Sequence, residues 1–351
     1  MTIIVGAGIS GLLTAYRLHQ AGLAYTILEA RERLGGRINT ISTSDGTPVE
    51  MGATWFGNQH QHLIALLDEL GLGGFEQYMK GTAFFQPFST SPAESIQVPS
   101  QPPSYRIAGG TSQIIRTLFQ KLDHNKILLN QAVKDIRFHE NGVRVVAKEV
   151  FEADRVVLCL PPKLWAKNIS IRPELPRELL QTALQTQTWM EDSIKLALSY
   201  AHPFWQEENL SGTLFSNTGP ITEFYDHSNQ ERSQYALCGF VNSSYAQLSD
   251  AERRTAVMDQ LRSVFGAKAE EFIDFEECVW SRENYTFAAS ETSHYPHQNN
   301  GNPIFRQSLM EGRLLLSGSE TASAYPGYMD GAVHSANEAA RKIALSVQER
   351  S

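Results

Sequence analysis

The sequence predicts an α/β fold: a parallel sheet with helices, assembled from separated pieces of the chain, with a second domain of mixed sheet and helices inserted among them. Three observations predict it. An apolar strand, a glycine turn, a helix and a second strand follow one another within residues 2–29. Val156-Val157-Leu158-Cys159-Leu160, closed by Pro161-Pro162, is a continuous apolar run suited to a strand buried on both faces. Between it and a late apolar strand at 313–316 lies a series of short alternating strands, as an inserted domain requires.

The first unit reads Thr2-Ile3-Ile4-Val5-Gly6-Ala7-Gly8-Ile9-Ser10-Gly11, then a helical run, then Tyr25-Thr26-Ile27-Leu28-Glu29. Gly6 lets the chain turn, Gly8 lets the backbone approach a pyrophosphate, and Gly11 lets the helix pack on the strand. The helix start then offers its positive dipole end to the phosphates. Glu29 stands at the tip of the second strand, where a carboxylate accepts both hydroxyls of an adenosine ribose and disfavours a phosphorylated one. This is a Rossmann-type dinucleotide site, and on its own it accommodates NAD as well as FAD.

Further along, Leu63, Leu66, Leu67 and Leu70 recur at helical spacing up to Gly71, predicting a helix over 62–70. His60 and His62 flank its start without a third ligand, so no metal is expected. Residues 86–105 carry five prolines among serines and read as a long surface loop. A helix through Leu122 and strands at 126–129, 133–139 and 143–146 follow. In 191–200, Ile194, Leu196, Leu198 and Tyr200 share one face and Lys195, Ala197 and Ser199 the other. Small neighbours place Lys195 beside open space rather than in a packed layer, or on a solvent-exposed face. Strands near 212–216, 222–225 and 235–241 precede a helix over 250–265. After the 313–316 strand, Gly327 to Val333 opens a helix with a small inner face of Gly331, Ala332, Ser335, Ala336, Ala339 and Ala340. Such a helix can press against a sheet or a flat cofactor, and its start favours an anion.

At 351 residues, with 42% hydrophobic and 19% charged residues, the chain has the composition of a globular protein of about two domains. A net charge of -8 argues against nucleic acid as a partner. The three cysteines, Cys159, Cys238 and Cys278, have no CxxC spacing and suggest neither disulfides nor zinc. With a strand from Thr2 and no apolar run of membrane-spanning length, the expectation is a cytoplasmic protein without a membrane partner.

Several separated motifs in order resemble the FAD-dependent amine oxidase family of monoamine and polyamine oxidases. They are the first unit with Glu29-Ala30-Arg31 to Gly35-Gly36-Arg37, Gly52-Ala53-Thr54-Trp55, Gly109-Gly110-Thr111, Ile194-Lys195 to Pro203-Phe204-Trp205, and Gly318-Ser319-Glu320-Thr321-Ala322 to Gly327-Tyr328-Met329. The resemblance implies a glutathione-reductase-like FAD domain over 1–74, 107–184 and 282–351, interleaved with a substrate domain over 75–106 and 185–281. It implies that Gly6, Gly8, Ser10, Gly11, Glu29, Ala30, Arg31, Gly36 and Arg37 hold the adenosine and pyrophosphate, with Val133 at the adenine. Gly52, Ala53, Thr54, Trp280, Glu320, Gly327, Met329 and Ala332 would complete the flavin site, the Met329 amide facing the pyrimidine edge. Lys195 matches the lysine that holds a water at flavin N5. Tyr328 matches one wall of the aromatic cage around the amine, and Trp55, Tyr225 and Ser290 fall in the substrate pocket.

Three departures bear on the chemistry. Where monoamine oxidases attach FAD through a cysteine, this chain has Tyr285-Thr286-Phe287-Ala288-Ala289, so FAD should be non-covalent. The second cage aromatic is replaced by Ser290, so the likeness to monoamine oxidases stops there. The 74–106 region is short, leaving the pocket more open or covered by another segment. The implied reaction takes an amine to an imine with O2 reduced to hydrogen peroxide, in a monomer or homodimer. Alternatives on the same resemblance are a carbon-carbon desaturase or porphyrinogen oxidase, or a flavin-binding partner protein with little turnover. Thr54, where L-amino acid oxidases carry an arginine, argues against amino acid substrates.

Overall fold

The computed structural model describes residues 1–98, 101–289 and 295–348. Its centre is a five-stranded parallel sheet in the order Ile127–Leu128, Tyr25–Leu28, Thr2–Val5, Arg155–Leu158, Leu314–Leu316. Ile3 pairs with Val156 on one side and Thr26 on the other, and all four residues of Thr2–Val5 are buried. Successive side chains alternate between two layers. Ile4, Ile27 and Val157 face the helices Ile9–Gln20, Gln61–Leu70, Ser112–Gln120 and Met329–Gln348. Ile3, Val5, Val156 and Leu158 face a four-stranded mixed sheet and the short helices Pro162–Asn168 and Arg177–Leu184.

The small inner face of Met329–Gln348 meets Leu12, Leu13 and Ala15 of Ile9–Gln20. This close packing aims both helix starts at the same edge of the sheet. Asp330, fully buried, reaches across to accept the Leu63 amide at 2.8 Å and so caps Gln61–Leu70 from another helix.

A second, seven-stranded sheet runs Phe272–Val279, Ile194–Tyr200, Tyr235–Val241, Ile221–Asp226, Leu210–Ser216, Thr82–Gln86, Glu94–Ile96. Ile194, Leu196 and Leu198 pack with Val257, Leu261 and Phe265 of the helix Asp250–Phe265. A capping box between Ser249 and Glu252 starts that helix.

Two expectations change. The 86–105 region is not one loop: the proline-free stretch Glu94–Ile96 pairs with Thr82–Gln86, and Ser104–Ile107 joins a small sheet with Phe56–Gly57 and Gly74–Glu76. Amides free to donate explain both. The Lys195 face of Ile194–Tyr200 is neither open nor solvent-exposed, since all seven residues are buried. Ala197 packs with Val49 and Met51, so the short strand Pro48–Glu50 and the bend after it cover this face. Period-two alternation showed that there are two faces, not that one of them is wet.

Candidate active site

A cavity of about 1030 Å³ runs between the two sheets. At one end the first strand turns into its helix at Gly6, whose φ of 101° favours glycine and where a Cβ would lie 2.8 Å from the Cys159 carbonyl oxygen. Gly8, by contrast, is a cradle: the nearest atom to a Cβ there is the Gly35 oxygen at 3.8 Å, leaving the backbone bare to a ligand. Glu29 is buried and accepts the Ala7 amide at 2.7 Å and the Arg31 amide at 2.9 Å, one on each oxygen. Each oxygen keeps a lone pair for ribose hydroxyls. Arg31 is turned aside to Glu283 and Thr286, which ties the 283–286 segment over this end. Val133, with Gln131 and Ala132, completes the wall.

Midway along, Arg37 donates to both oxygens of the fully buried Glu320, at 2.6 and 3.0 Å, and to Ser319 and the Trp189 carbonyl. Glu320 is thus neutralised behind the wall while the guanidinium itself lines the cavity. The helix Met329–Gln348 begins here, with Gly327, Tyr328, Met329 and Ala332 on the wall. Its first-turn amides have no partner within the helix and would meet an anionic group.

At the far end the Lys195 Nζ donates to the Thr54 hydroxyl at 3.0 Å, and that hydroxyl donates to the Gly52 carbonyl at 3.0 Å. The Lys195 nitrogen also lies 4.6 Å from the Trp55 ring centre and 4.4 Å from that of Phe240. Two π faces, the Thr54 hydroxyl, the Cys238 thiol and the nearby Glu50 carboxylate surround this fully buried amine. Trp55 meets Tyr225 edge-on at 5.2 Å and donates its indole N–H to Gln77 at 2.8 Å.

The structure brings Gly6, Gly8, Ser10, Glu29, Ala30, Arg31, Gly36, Arg37, Gly52, Ala53, Thr54, Trp55, Val133, Tyr225, Gly327, Tyr328, Met329 and Ala332 to one cavity. Four others sit behind its wall. A Cβ on Gly11 would lie 1.9 Å from the Gly6 oxygen, so Gly11 serves helix-to-turn packing. Lys195 and Glu320 act through Thr54 and Arg37. Trp280 is fully buried with its indole donating to the Met51 carbonyl at 2.7 Å; the turn Trp280–Arg282 folds the ring beneath the wall rather than onto it. Ser290 lies outside the described residues.

Gln77, Phe240 and Glu223 line the cavity without having been singled out. Glu223 and Phe240 carried a signal, since each lies at even spacing on a strand with a recognised wall or core residue. Gln77 carried none. His297, from a polar loop, stacks on Tyr328 with centroids 5.6 Å apart and on Trp189 at 5.5 Å.

Elongated shape, glycine cradle, ribose-accepting carboxylate and helix start together fit an FAD molecule with its adenosine at Glu29 and its flavin near Thr54 and Met329. A profile of the flavin-containing amine oxidoreductase family matches residues 9–104 and 94–344. Flavin-containing amine oxidase B of Sus scrofa is 26% identical over 451 aligned positions, covering 97% of this chain and 85% of that protein. A probable flavin-containing monoamine oxidase A of Dictyostelium discoideum is 24% identical, covering 97% and 96%. Alignments longer than the chain mean that these relatives carry segments this chain lacks. Among solved structures, a putrescine oxidase bound to putrescine superposes with a TM-score of 0.83 at 25% identity, over 97% of this chain and 98% of that one. Cyclohexylamine oxidase from Brevibacterium oxydans IH-35A shares the fold with a TM-score of 0.85 at 20% identity, over 99% of each chain.

Proposed function

The chain belongs to the flavin-containing amine oxidoreductase family, and from that premise we propose how its own residues carry out FAD-dependent oxidation of an amine to an imine. Its cofactor, FAD, supplies the two-electron acceptor for the C–N bond. The CH–NH unit loses two electrons and two protons, O2 takes them up as hydrogen peroxide, and the released imine hydrolyses in water. The 285–289 segment has no cysteine, which supports non-covalent attachment.

Glu29 would bind the adenosine ribose and Arg37, together with the helix starts, the pyrophosphate. The Met329 amide would stabilise negative charge on the pyrimidine side of the flavin. Tyr328 presents its ring to the neutral amine, and Lys195, held by Thr54, positions water at the reacting end. The observation that carries this reading is that one cavity joins the Glu29 cradle to Thr54, which Lys195 holds from behind the wall. We assign 1–74, 107–184 and 282–351 to FAD and 75–106 with 185–281 to substrate. This division is supported by the parallel sheet drawing all its strands from the first set and the seven-stranded sheet from the second. A cytoplasmic location is supported by three free cysteines; among the described residues no helix is long and apolar enough to cross a membrane. Homodimer formation rests on family likeness alone, and sedimentation of the purified protein tests it.

The deciding experiment is a visible spectrum recorded anaerobically during titration with a panel of amines. A flavin spectrum bleached by amine, and restored by air with release of hydrogen peroxide, is the expected result. A colourless protein that takes up no FAD, or a flavin that no amine reduces, overturns it.

A further inference from the structure

A second cavity, of about 280 Å³, runs along the outer edge of the parallel sheet and among the described residues shares no lining residue with the first. One side of it is the strand Leu314–Leu316, which ends the order of that sheet. The other side is the helix Met329–Gln348, where Ser335, Glu338, Ala339, Lys342, Ile343 and Ser346 follow helical spacing and so share one face. The floor is apolar. Phe305 and Leu314 reach it from the core on one side of the sheet, Ala339 and Ile343 from the core on the other, and all four are buried. The rim, by contrast, carries cations.

Arg306 is the chief of them. Its Nη1 donates to the Gly301 carbonyl at 2.9 Å and to the Thr321 carbonyl at 3.1 Å, which anchor the guanidinium in the cavity wall. Among the described residues its Nε and Nη2, the edge that meets a carboxylate side-on, have no acceptor. A guanidinium does not shed its proton, so the half-buried Arg306 needs water or an anion there. Lys342 stands exposed on the helix wall of the same cavity. The one acid on the wall among the described residues is Glu338, and Arg341 takes it up at 2.9 Å. The rim is therefore positive above an apolar floor. We propose that this cavity binds a small organic monocarboxylate, with its oxygens on the Nε–Nη2 edge of Arg306, its hydrocarbon body over Phe305, Leu314 and Ile343, and Lys342 adding to the field. Fork and carboxylate match in two parallel hydrogen bonds. The floor favours an organic acid over inorganic phosphate, which has no apolar part to lay upon it.

The test is calorimetric titration of the FAD-loaded protein with hexanoate and with benzoate, beside hexanol and inorganic phosphate, in the wild type, Arg306→Gln and Lys342→Gln. One of the carboxylates should bind with a Kd of about 1 mM or tighter, the ordinary strength for a ligand of under about ten heavy atoms. Hexanol and phosphate should bind at least about tenfold more weakly, and Arg306→Gln should raise the carboxylate Kd by about tenfold or more. Lys342→Gln, at an exposed helix position, should raise it by about threefold, and added salt should weaken binding in the wild type. The flavin spectrum should not move during the titration, since the two cavities are separate. If Arg306→Gln fails to fold, as its flavin content reports, Lys342→Gln and the salt series carry the comparison. No heat from either carboxylate at millimolar concentration overturns the proposal, and so does phosphate or hexanol binding as tightly. Binding that neither variant weakens overturns it too, and a displaced flavin spectrum would then place the acid in the first cavity.

Discussion

Lys195 and Thr54 lie 141 residues apart in the chain and are joined by one buried hydrogen bond of 3.0 Å. The bond links the seven-stranded sheet to the Gly52–Trp55 turn, so the lysine is held where the two sheets meet. Lys195→Met is expected to slow either flavin reduction or its reoxidation by about 10²-fold, the usual loss when a preorganised polar group beside a reacting centre is removed. Thr54→Val, which removes the hydroxyl that Lys195 Nζ donates to, should cost about tenfold in the same step, and Thr54→Ser should restore most of it. Stopped-flow measurement of both half-reactions checks this, and unchanged rates in Lys195→Met would remove the lysine from the chemistry.

The nucleotide half of the site was legible because each of its residues has a local cause. Gly6, Gly8 and Glu29 sit in one strand-turn-helix-strand unit whose spacing fixes their places. The other half was legible only in part. Lys195 could be put on a strand face from alternation, but what covers that face comes from Val49 to Trp55, and no local pattern encodes such a contact. Trp280 lies in the right region yet turns inwards to Met51. Its direction depends on a short turn following the strand, which periodicity does not describe. Gln77 was illegible for the same reason: its amide joins three segments, each remote from the others in sequence.

Arg37 and Glu320 make the second test. The carboxylate is fully buried and both its oxygens accept from the guanidinium, whose side chain is 22% exposed. Arg37→Ala leaves that anion in the interior without its cation, at a cost of about 3 kcal/mol. Arg37→Lys keeps a charge but loses the fork, and should fall between. Denaturant unfolding gives the stability change, and the ratio of flavin to protein absorbance gives cofactor retention. Full stability and full flavin content in Arg37→Ala would show that the pair has no such role.

Acid should destabilise the fold through His227. Its ring is buried with Nδ1 unpartnered among the described residues, and burial, then Arg106 and Lys195, hold its pKa well below the ordinary 6.5. The folded state therefore stays neutral at a pH where the unfolded chain binds a proton. This contribution to stability is intact above about pH 6.5 and is lost as pH falls below it, by up to about 1.4 kcal/mol per unit. His227→Leu removes the term, so the stability difference between variant and wild type should shift in the variant's favour from pH 7 to pH 5. A difference that does not vary with pH would place the proton elsewhere.

Tyr328 should act through its ring rather than its hydroxyl. The ring lines the cavity, stacks on His297 at an interplanar angle of 20° and leans on His60 at 5.3 Å. Burial lowers the pKa of His60, so that neighbour is neutral at pH 7 and does not repel a bound amine. Tyr328→Phe keeps the π face and should change kcat/KM by no more than about threefold, whereas Tyr328→Ala removes the ring wall that orients the neutral amine and should cost at least about tenfold. Steady-state kinetics on one good substrate separates the two. A large loss in Tyr328→Phe would instead assign the work to the phenol.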